Sequence, residues 1–200
     1  MLRRLARSLP ALAAVLALVL MSAISVAVAN GSHRDHHPGH GGWHSHGHHG
    51  CAWKHVSGLD ERWLTGHIET NLFEIAGGQA AEQKAATPQV RELAAELVRD
   101  HTAALEQAQA VASKLHVAIP DRPAPLQEWA LRAVQQFGGV DFDRWFADLQ
   151  VEGHKQAIVE ASIEADRGCN RKVRTLAAAS LPVLQTHLEH AQAVLEGLSD

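Results

Sequence analysis

The chain has 200 residues and a formal net charge of −4, with two cysteines and no tyrosine. An acidic surface repels the phosphate backbone, which excludes nucleic-acid binding, and two cysteines are too few for a scaffold built on disulfides. The scarcity of aromatic residues, together with abundant alanine and leucine, favours helix over sheet.

Residues 1–29 have the layout of a secretory signal peptide. Three arginines come first, residues 11–29 are almost wholly apolar, and small residues at 27–29 offer a cleavage site. The alternative is an uncleaved membrane anchor, because an apolar run of 19 residues nearly spans a bilayer. Cleavage, which the small residues favour, leaves a chain with a net charge of −7 in the periplasm or outside the cell, without stable membrane insertion.

Residues 30–58 are rich in glycine and histidine, show no apolar period and are predicted to form a disordered tail. Neutral imidazoles bind borderline and soft metal ions, so the tail is predicted to form several weak, exchanging sites for Zn²⁺, Cu²⁺ or Ni²⁺. The alternative is a flexible linker that is rich in histidine without binding metal. The candidate ligands in the tail are His36, His37, His40, His44, His46, His48 and His49.

Four long helices are predicted over residues 60–85, 88–115, 141–168 and 170–198, and a short helix over 126–137. Their lengths are typical of a four-helix bundle. Short connections predict two antiparallel hairpins, and the long connection that holds the short helix can cross the bundle. The predicted fold is therefore all-α, with the bundle occupying residues 59–200.

Three positions are unusual for the interior of a helix. Gly77 and Gly78 together cost about 2 kcal/mol relative to alanine. Close approach of a neighbouring helix is the preferred explanation, and a local kink is the alternative. Pro182 is expected to kink the fourth long helix.

Several polar residues lie on the apolar stripes of the long helices. His101 and His154 occupy the centres of two stripes, His187 lies on the flank of a third with His190 at its edge, and Glu74 lies on the first helix. All lie near the middle of their helices, so three imidazoles and a carboxylate are predicted to meet there. This donor set suits Zn²⁺, Cu²⁺ or Fe²⁺. The alternative is a buried polar network that fixes helix register without metal.

Carboxylates near these histidines can orient them. A metal-bound imidazole usually donates its second N–H group to an oxygen atom. The candidate acceptors are Asp100, Glu152 and Glu189.

The long helices also carry a diffuse pattern of single residues: Asn71-x-x-Glu74, Asp100-His101, Phe142-Asp143 with His154, and Pro182 with His187. This pattern resembles the domain-of-unknown-function family DUF4142, often labelled a predicted outer membrane protein. The resemblance covers about residues 60–196. It implies a ferritin-like four-helix bundle in an exported bacterial protein, and it implies no activity.

Di-iron chemistry and iron storage are not expected. Ferritin-like di-iron proteins carry Glu-x-x-His on two helices. Val98 stands three residues before His101, and Leu184 stands three residues before His187, so both pairs are missing.

Two functional hypotheses remain. The first is an exported protein that binds or buffers Zn, Cu, Ni or Fe ions through its tail and an interior site. The second is a non-catalytic structural or stress-related module whose buried histidines and glutamate only fix helix register. An enzyme is less favoured, because the sequence has no Ser-His-Asp set, redox or haem cysteine motif, or phosphate loop.

Overall fold

The computed structural model describes residue 51 and residues 55–198, and the predicted signal peptide and most of the predicted tail lie outside this part. The described residues form five α-helices and no strand, which confirms the predicted helical bundle. None of these helices is both long and apolar enough to cross a bilayer. The helices are α1 (Gly58–Lys84), α2 (Pro88–Leu115), α3 (Pro125–Val134), α4 (Gly139–Arg167) and α5 (Arg171–Gly197).

Helix α1 begins inside the segment that the sequence assigned to the tail. The Ser57 hydroxyl accepts a hydrogen bond from the backbone N–H of Asp60 at 3.2 Å. The Asp60 carboxylate in turn accepts from the backbone N–H of Ser57 at 2.6 Å. This reciprocal capping box satisfies backbone donors that the helix start would leave unpaired, so Ser57 and Gly58 belong to the folded part.

The connection between α2 and α4 crosses the bundle from end to end. Asp143, in the first turns of α4, accepts hydrogen bonds from the backbone N–H groups of Ala86 at 2.9 Å and Thr87 at 2.8 Å. Helix α4 therefore starts beside the turn between α1 and α2. Since α2 ends at the opposite end, residues 116–138, which include α3, return along the length of the bundle, as the sequence suggested.

At the other end, Asp60 and a disulfide tie α1 to the turn between α4 and α5. The Asp60 carboxylate accepts from the backbone N–H groups of Cys169 and Asn170, each at 2.9 Å. Cys51 is bonded to Cys169, with their Cα atoms 5.2 Å apart. The sequence left open whether the cysteines meet, and the structure joins them.

The interior consists of two apolar clusters with a polar layer between them. One cluster contains Leu97 of α2, and the other contains Ala108 of the same helix. His101 lies between these two positions and is buried. The polar layer therefore crosses the bundle near its middle, away from bulk water.

Gly78 marks the closest approach of α1 to α2. A Cβ atom on Gly78 would lie 2.6 Å from Cγ2 of Val98 and 3.0 Å from the backbone oxygen of Ala94. The preferred explanation of the glycine pair, close helix approach, is confirmed for Gly78. Helix α5 runs without interruption through Pro182, and the kink there stays a prediction.

Candidate metal centre

Three histidines from three helices meet in the polar layer. His101 of α2, His154 of α4 and His187 of α5 are 5%, 2% and 1% exposed. Each offers one ring nitrogen, and the three nitrogens lie within 4.8 Å of one another. The structure thus brings together the three imidazoles that the helical stripes predicted, and it buries His187 more deeply than its place on a flank suggested.

The tautomer of His101 follows from its neighbours. The Asn71 side-chain N–H donates to the backbone oxygen of His67 at 2.7 Å, so the amide oxygen of Asn71 faces the other way. That oxygen lies 2.8 Å from Nδ1 of His101, which must therefore carry the proton. Nε2 of His101 is left with a lone pair, and this buried atom has no hydrogen-bond partner.

The other two imidazoles are held in the same way. Nδ1 of His154 donates to the backbone oxygen of Gln150 at 2.9 Å, which leaves Nε2 of His154 unprotonated, with a free lone pair. Nε2 of His187 donates to a carboxylate oxygen of Asp100 at 3.1 Å, which leaves Nδ1 of His187 unprotonated, with a lone pair. Every outward-facing nitrogen is a donor to oxygen, and every remaining nitrogen is free to coordinate.

Two of the lone pairs face each other. Nε2 of His154 and Nδ1 of His187 lie 3.3 Å apart. When both rings are neutral and their outer N–H groups are engaged, this contact brings two lone pairs together, and a proton on one ring or a shared cation relieves the repulsion. Two nitrogens bound tetrahedrally to one zinc ion at about 2.0–2.1 Å stand roughly 3.3 Å apart, so the observed spacing suits a shared ion.

Burial disfavours a proton on His154 or His101 as the way to relieve this repulsion. Burial, followed by the charge of His187, lowers the pKa of His154 to about 4. Burial and the neighbouring imidazoles, first His154 and then His187, lower the pKa of His101 well below its ordinary value. A metal ion uses all three lone pairs at once and leaves the outer hydrogen bonds intact.

Asp100 is held as a carboxylate. Its two oxygens accept from Nε and a terminal nitrogen of Arg99 at 2.8 Å and 3.0 Å. The hydrogen bond from Arg99, together with that from His187, keeps the pKa of Asp100 below its ordinary value despite partial burial. Of the three predicted acceptors, Asp100 is the one that contacts a candidate ligand. Glu152 instead pairs with Lys155 on the surface.

Glu74 lines a cavity together with His101 and His154 and lies outside the group of three imidazoles. It is 3% exposed, and its Oε2 atom has no hydrogen-bond partner. Burial raises the pKa of Glu74 to about 7, although a hydrogen bond from the Gln150 side chain acts in the opposite direction. An oxygen without a hydrogen-bond partner therefore belongs to a side chain that shares a cavity with His101 and His154.

His190 is engaged elsewhere. Its Nδ1 atom lies 2.5 Å from a carboxylate oxygen of Glu96, on the partly exposed side of α5. Glu96 also belongs to a second group of potential ligands with Asp100 and His187. The structure thus places His190 at the outer edge of the site rather than with the three imidazoles.

Two cavities reach the centre from opposite sides. A cavity of about 650 Å³ lies against α1, α3 and α4, and it is lined at its inner end by Glu74, His101 and His154. A smaller one of about 200 Å³ is lined by Asp100, His101 and His187 among others. The three imidazoles are therefore buried without being sealed.

The family model for the domain of unknown function DUF4142 matches residues 50–194. The chain belongs to the DUF4142 family. No curated protein and no solved structure matches it significantly. The matched span includes both cysteines, the five helices up to residue 194 and the three imidazoles, and the family description supplies no activity.

The tail histidines precede the DUF4142 match. The candidate ligands of the tail, residues 36–49, lie outside the described residues. Their predicted role in metal binding therefore rests on the sequence. The structure adds one relevant contact, because the disulfide to Cys169 fixes Cys51, which follows these histidines directly.

The sequence analysis missed a second buried polar pair near the disulfide. Glu164 is fully buried near Asp60, where two carboxylates would repel each other. Burial, and then the contact with Asp60, raise the pKa of Glu164 to about 8, so the Glu164 carboxyl keeps its proton at neutral pH and can donate to Asp60. The available signals were the Ser57–Asp60 capping spacing and the position of Glu164 three residues after Ala161 on the α4 stripe.

Proposed function

We propose that this DUF4142 protein binds a divalent transition-metal ion through His101, His154 and His187, and that it buffers such ions outside the cytoplasm. One observation carries the proposal. Each imidazole keeps a lone pair for the interior while its other nitrogen donates to an oxygen. Three imidazoles suit Zn²⁺ and Cu²⁺ best, and they also accept Ni²⁺ and Fe²⁺.

Glu74 is proposed to complete the donor set. Three protein ligands leave a fourth position of a tetrahedral ion open. Glu74 is the buried carboxyl that shares a cavity with His101 and His154, and its Oε2 atom lacks a partner. We propose that this oxygen contacts the ion directly or through a bound water molecule.

The His-rich tail is proposed to capture ions weakly and to raise their concentration near the bundle. Nine of the fifteen histidines lie between residues 33 and 55. The disulfide at Cys51 tethers this segment to the turn that contains Cys169. Tethering a weak binding segment to a second site favours repeated capture over escape to bulk solution.

Two features support the proposal that the protein acts outside the cytoplasm. Residues 1–29 have the layout of a signal peptide, and a disulfide such as that between Cys51 and Cys169 persists in oxidising compartments. The crossing connection between α2 and α4 also supports a ferritin-like relationship. The absence of the Glu-x-x-His pairs keeps this proposal apart from di-iron chemistry.

Metal analysis of untagged protein, followed by titration of the metal-free form, tests the interior site. We expect one tightly bound ion per chain in addition to weak tail binding, and His101→Leu should remove it. His116→Asn is the matched control, because it removes a histidine at a helix end where φ is +57° and asparagine tolerates that conformation.

The alternative function, a helical module whose polar layer only fixes register, predicts a different result. In that case His101→Leu would change the free energy of unfolding and leave the metal content equal to that of His116→Asn. If His101→Leu and His116→Asn hold the same amount of tightly bound metal ion, the interior metal site is therefore rejected.

A further inference from the structure

The larger cavity leads from the surface to His101 and His154, two of the three imidazoles. On α1 its lining passes from Glu61 through Glu69 to Glu74, a distance of about 20 Å along the helix. On α4 the lining passes from Glu160 to His154. Since α1 and α4 are antiparallel, both walls run inward from the same end of the bundle.

Among the charged side chains of this lining, acidic residues outnumber basic ones. Glu61, Glu69, Glu74 and Glu160 face the cavity, with Arg62 as its one basic residue. Within the described part of the chain, none of the four carboxyls forms an ion pair with a basic side chain. Unpaired carboxylates in a cleft with low-dielectric walls focus a negative potential that attracts cations.

The inner end of the cavity holds two buried atoms that lack partners. Oε2 of Glu74 and Nε2 of His101 come from different helices, and both side chains line this cavity. A buried polar atom without a partner is destabilising unless a ligand satisfies it. An oxygen and a nitrogen lone pair at the same cavity end are partners for a cation.

The size of the cavity also suits an ion that arrives with its water. The volume is about 650 Å³. Six water molecules occupy roughly 180 Å³, so a hydrated ion fits and can shed its water near the centre. The cavity on the opposite side has about 200 Å³, and its carboxylate, Asp100, is already engaged by Arg99 and His187.

We infer that the larger cavity is the uptake route for a divalent cation, in which Glu61, Glu69 and Glu160 attract the hydrated ion and Glu74 passes it to the three imidazoles. The inference rests on the proposed interior metal site. It adds a direction of entry and assigns these carboxylates a kinetic role that is separate from that of the final ligands.

Stopped-flow uptake of Co²⁺ by the metal-free full chain tests this role. Four-coordinate Co²⁺ absorbs far more strongly in the visible than the six-coordinate ion, so the signal reports the interior site. The double variant Glu69→Gln/Glu160→Gln should slow uptake by about tenfold and weaken its dependence on ionic strength. Release to a chelator should slow similarly, and the final Co²⁺ content should be unchanged.

The matched control is Glu92→Gln/Glu106→Gln, which removes two charges from exposed positions of α2 outside the cavity. It should take up Co²⁺ at nearly the wild-type rate. A second variant, Ala157→Leu, narrows the cavity without changing its charge, and it should also slow uptake. It keeps the test decisive if the double glutamine variant fails to fold.

Wild-type uptake rates in both cavity variants, or equal slowing in the α2 control, would overturn the route while leaving the metal site standing. The proposed function fails separately. If wild-type protein shows no four-coordinate Co²⁺ signal, or if His101→Leu keeps that signal, the interior site is absent. The proposed uptake route is then rejected as well.

Discussion

Nε2 of His154 stands 3.3 Å from Nδ1 of His187, and the outer hydrogen bonds of the two rings leave both atoms as lone pairs. The two lone pairs therefore repel each other unless a positive charge lies between the two nitrogens. This arrangement is the basis for proposing that the polar layer binds a cation. It also means that the residues which orient the imidazoles should affect metal affinity.

Replacing Asn71 should weaken metal binding although Asn71 is not a ligand. Asn71→Leu leaves the Nδ1–H group of His101 without its acceptor, and loss of such an orienting group lowers metal affinity by about 10–100-fold. The metal-free protein should also lose about 1–3 kcal/mol of stability. Competition with a chromophoric chelator and urea unfolding measure the two effects.

Gln79→Leu is the control for this substitution, because Gln79 is exposed on α1 and lines neither cavity. It should leave affinity within about twofold of wild type, since it leaves the hydrogen bonds of the imidazoles intact. Unchanged affinity in Asn71→Leu would show that Asn71 does not orient a ligand.

The metal-free protein should lose stability as the pH falls from about 6.5 to 4. Burial lowers the pKa values of His67 and His154 to about 4 in the folded state. Between about pH 4 and the ordinary pKa near 6.5, these histidines are protonated in the unfolded chain and neutral in the folded chain. The unfolded state therefore binds more protons, and a lower pH favours unfolding. Urea unfolding in the presence of a chelator, repeated across this range, gives the slope.

His154→Gln should reduce that slope, because it removes one of the three histidines, with His67 and His101, whose pKa values burial lowers. A slope that is identical in wild type and variant would show that His154 titrates normally. Bound metal should leave in the same pH range, since a protonated imidazole cannot coordinate.

Glu164→Gln should stabilise the protein at neutral pH. The raised pKa of about 8 means that Glu164 contributes stability below its ordinary pKa and that this contribution is lost as the pH rises towards 8. Glutamine resembles the protonated acid and does not ionise. We expect a gain of about 1 kcal/mol at pH 7 and a flatter stability profile between pH 5 and 8, measured by urea unfolding.

The exposed Glu196→Gln serves as the comparison, because it removes the same formal charge near the end of α5. Its pH profile should match that of wild type. A loss of stability in Glu164→Gln at pH 7 would mean that the carboxylate, not the acid, is the stabilising form.

Gly78→Ala should destabilise the bundle even though alanine favours helix. The added methyl group would lie 2.6 Å from Cγ2 of Val98 and 3.0 Å from a backbone oxygen. Overpacking of this kind costs about 1–3 kcal/mol, more than the gain of roughly 1 kcal/mol in helix propensity. Thermal or urea unfolding measures the net change.

Gly66 provides the matched test on the same helix, because a Cβ atom there meets nothing within 4 Å. Gly66→Ala should therefore stabilise the protein by up to about 1 kcal/mol. Adding Val98→Ala to Gly78→Ala should restore part of the lost stability, and stabilisation by Gly78→Ala alone would contradict the close helix approach.

The sequence by itself determined the helices and the inward positions of the candidate ligands. Apolar residues at helical spacing specify which face of each helix is buried, so a histidine on that face, such as His101 or His154, must be inside. Helix length then sets the height of each histidine in the bundle. Local spacing and burial are properties of one helix at a time, which is why they can be derived without a structure.

Only the tertiary structure decided which nitrogen of each ring faces the centre. That choice depends on acceptors from other helices or from the backbone, such as Asn71 for His101 and the Gln150 carbonyl for His154. The tertiary structure also paired Cys51 with Cys169 across a sequence separation of 118 residues. It left Glu74 outside the group of three imidazoles, in a cavity shared with His101 and His154, because side-chain direction depends on how neighbouring helices pack.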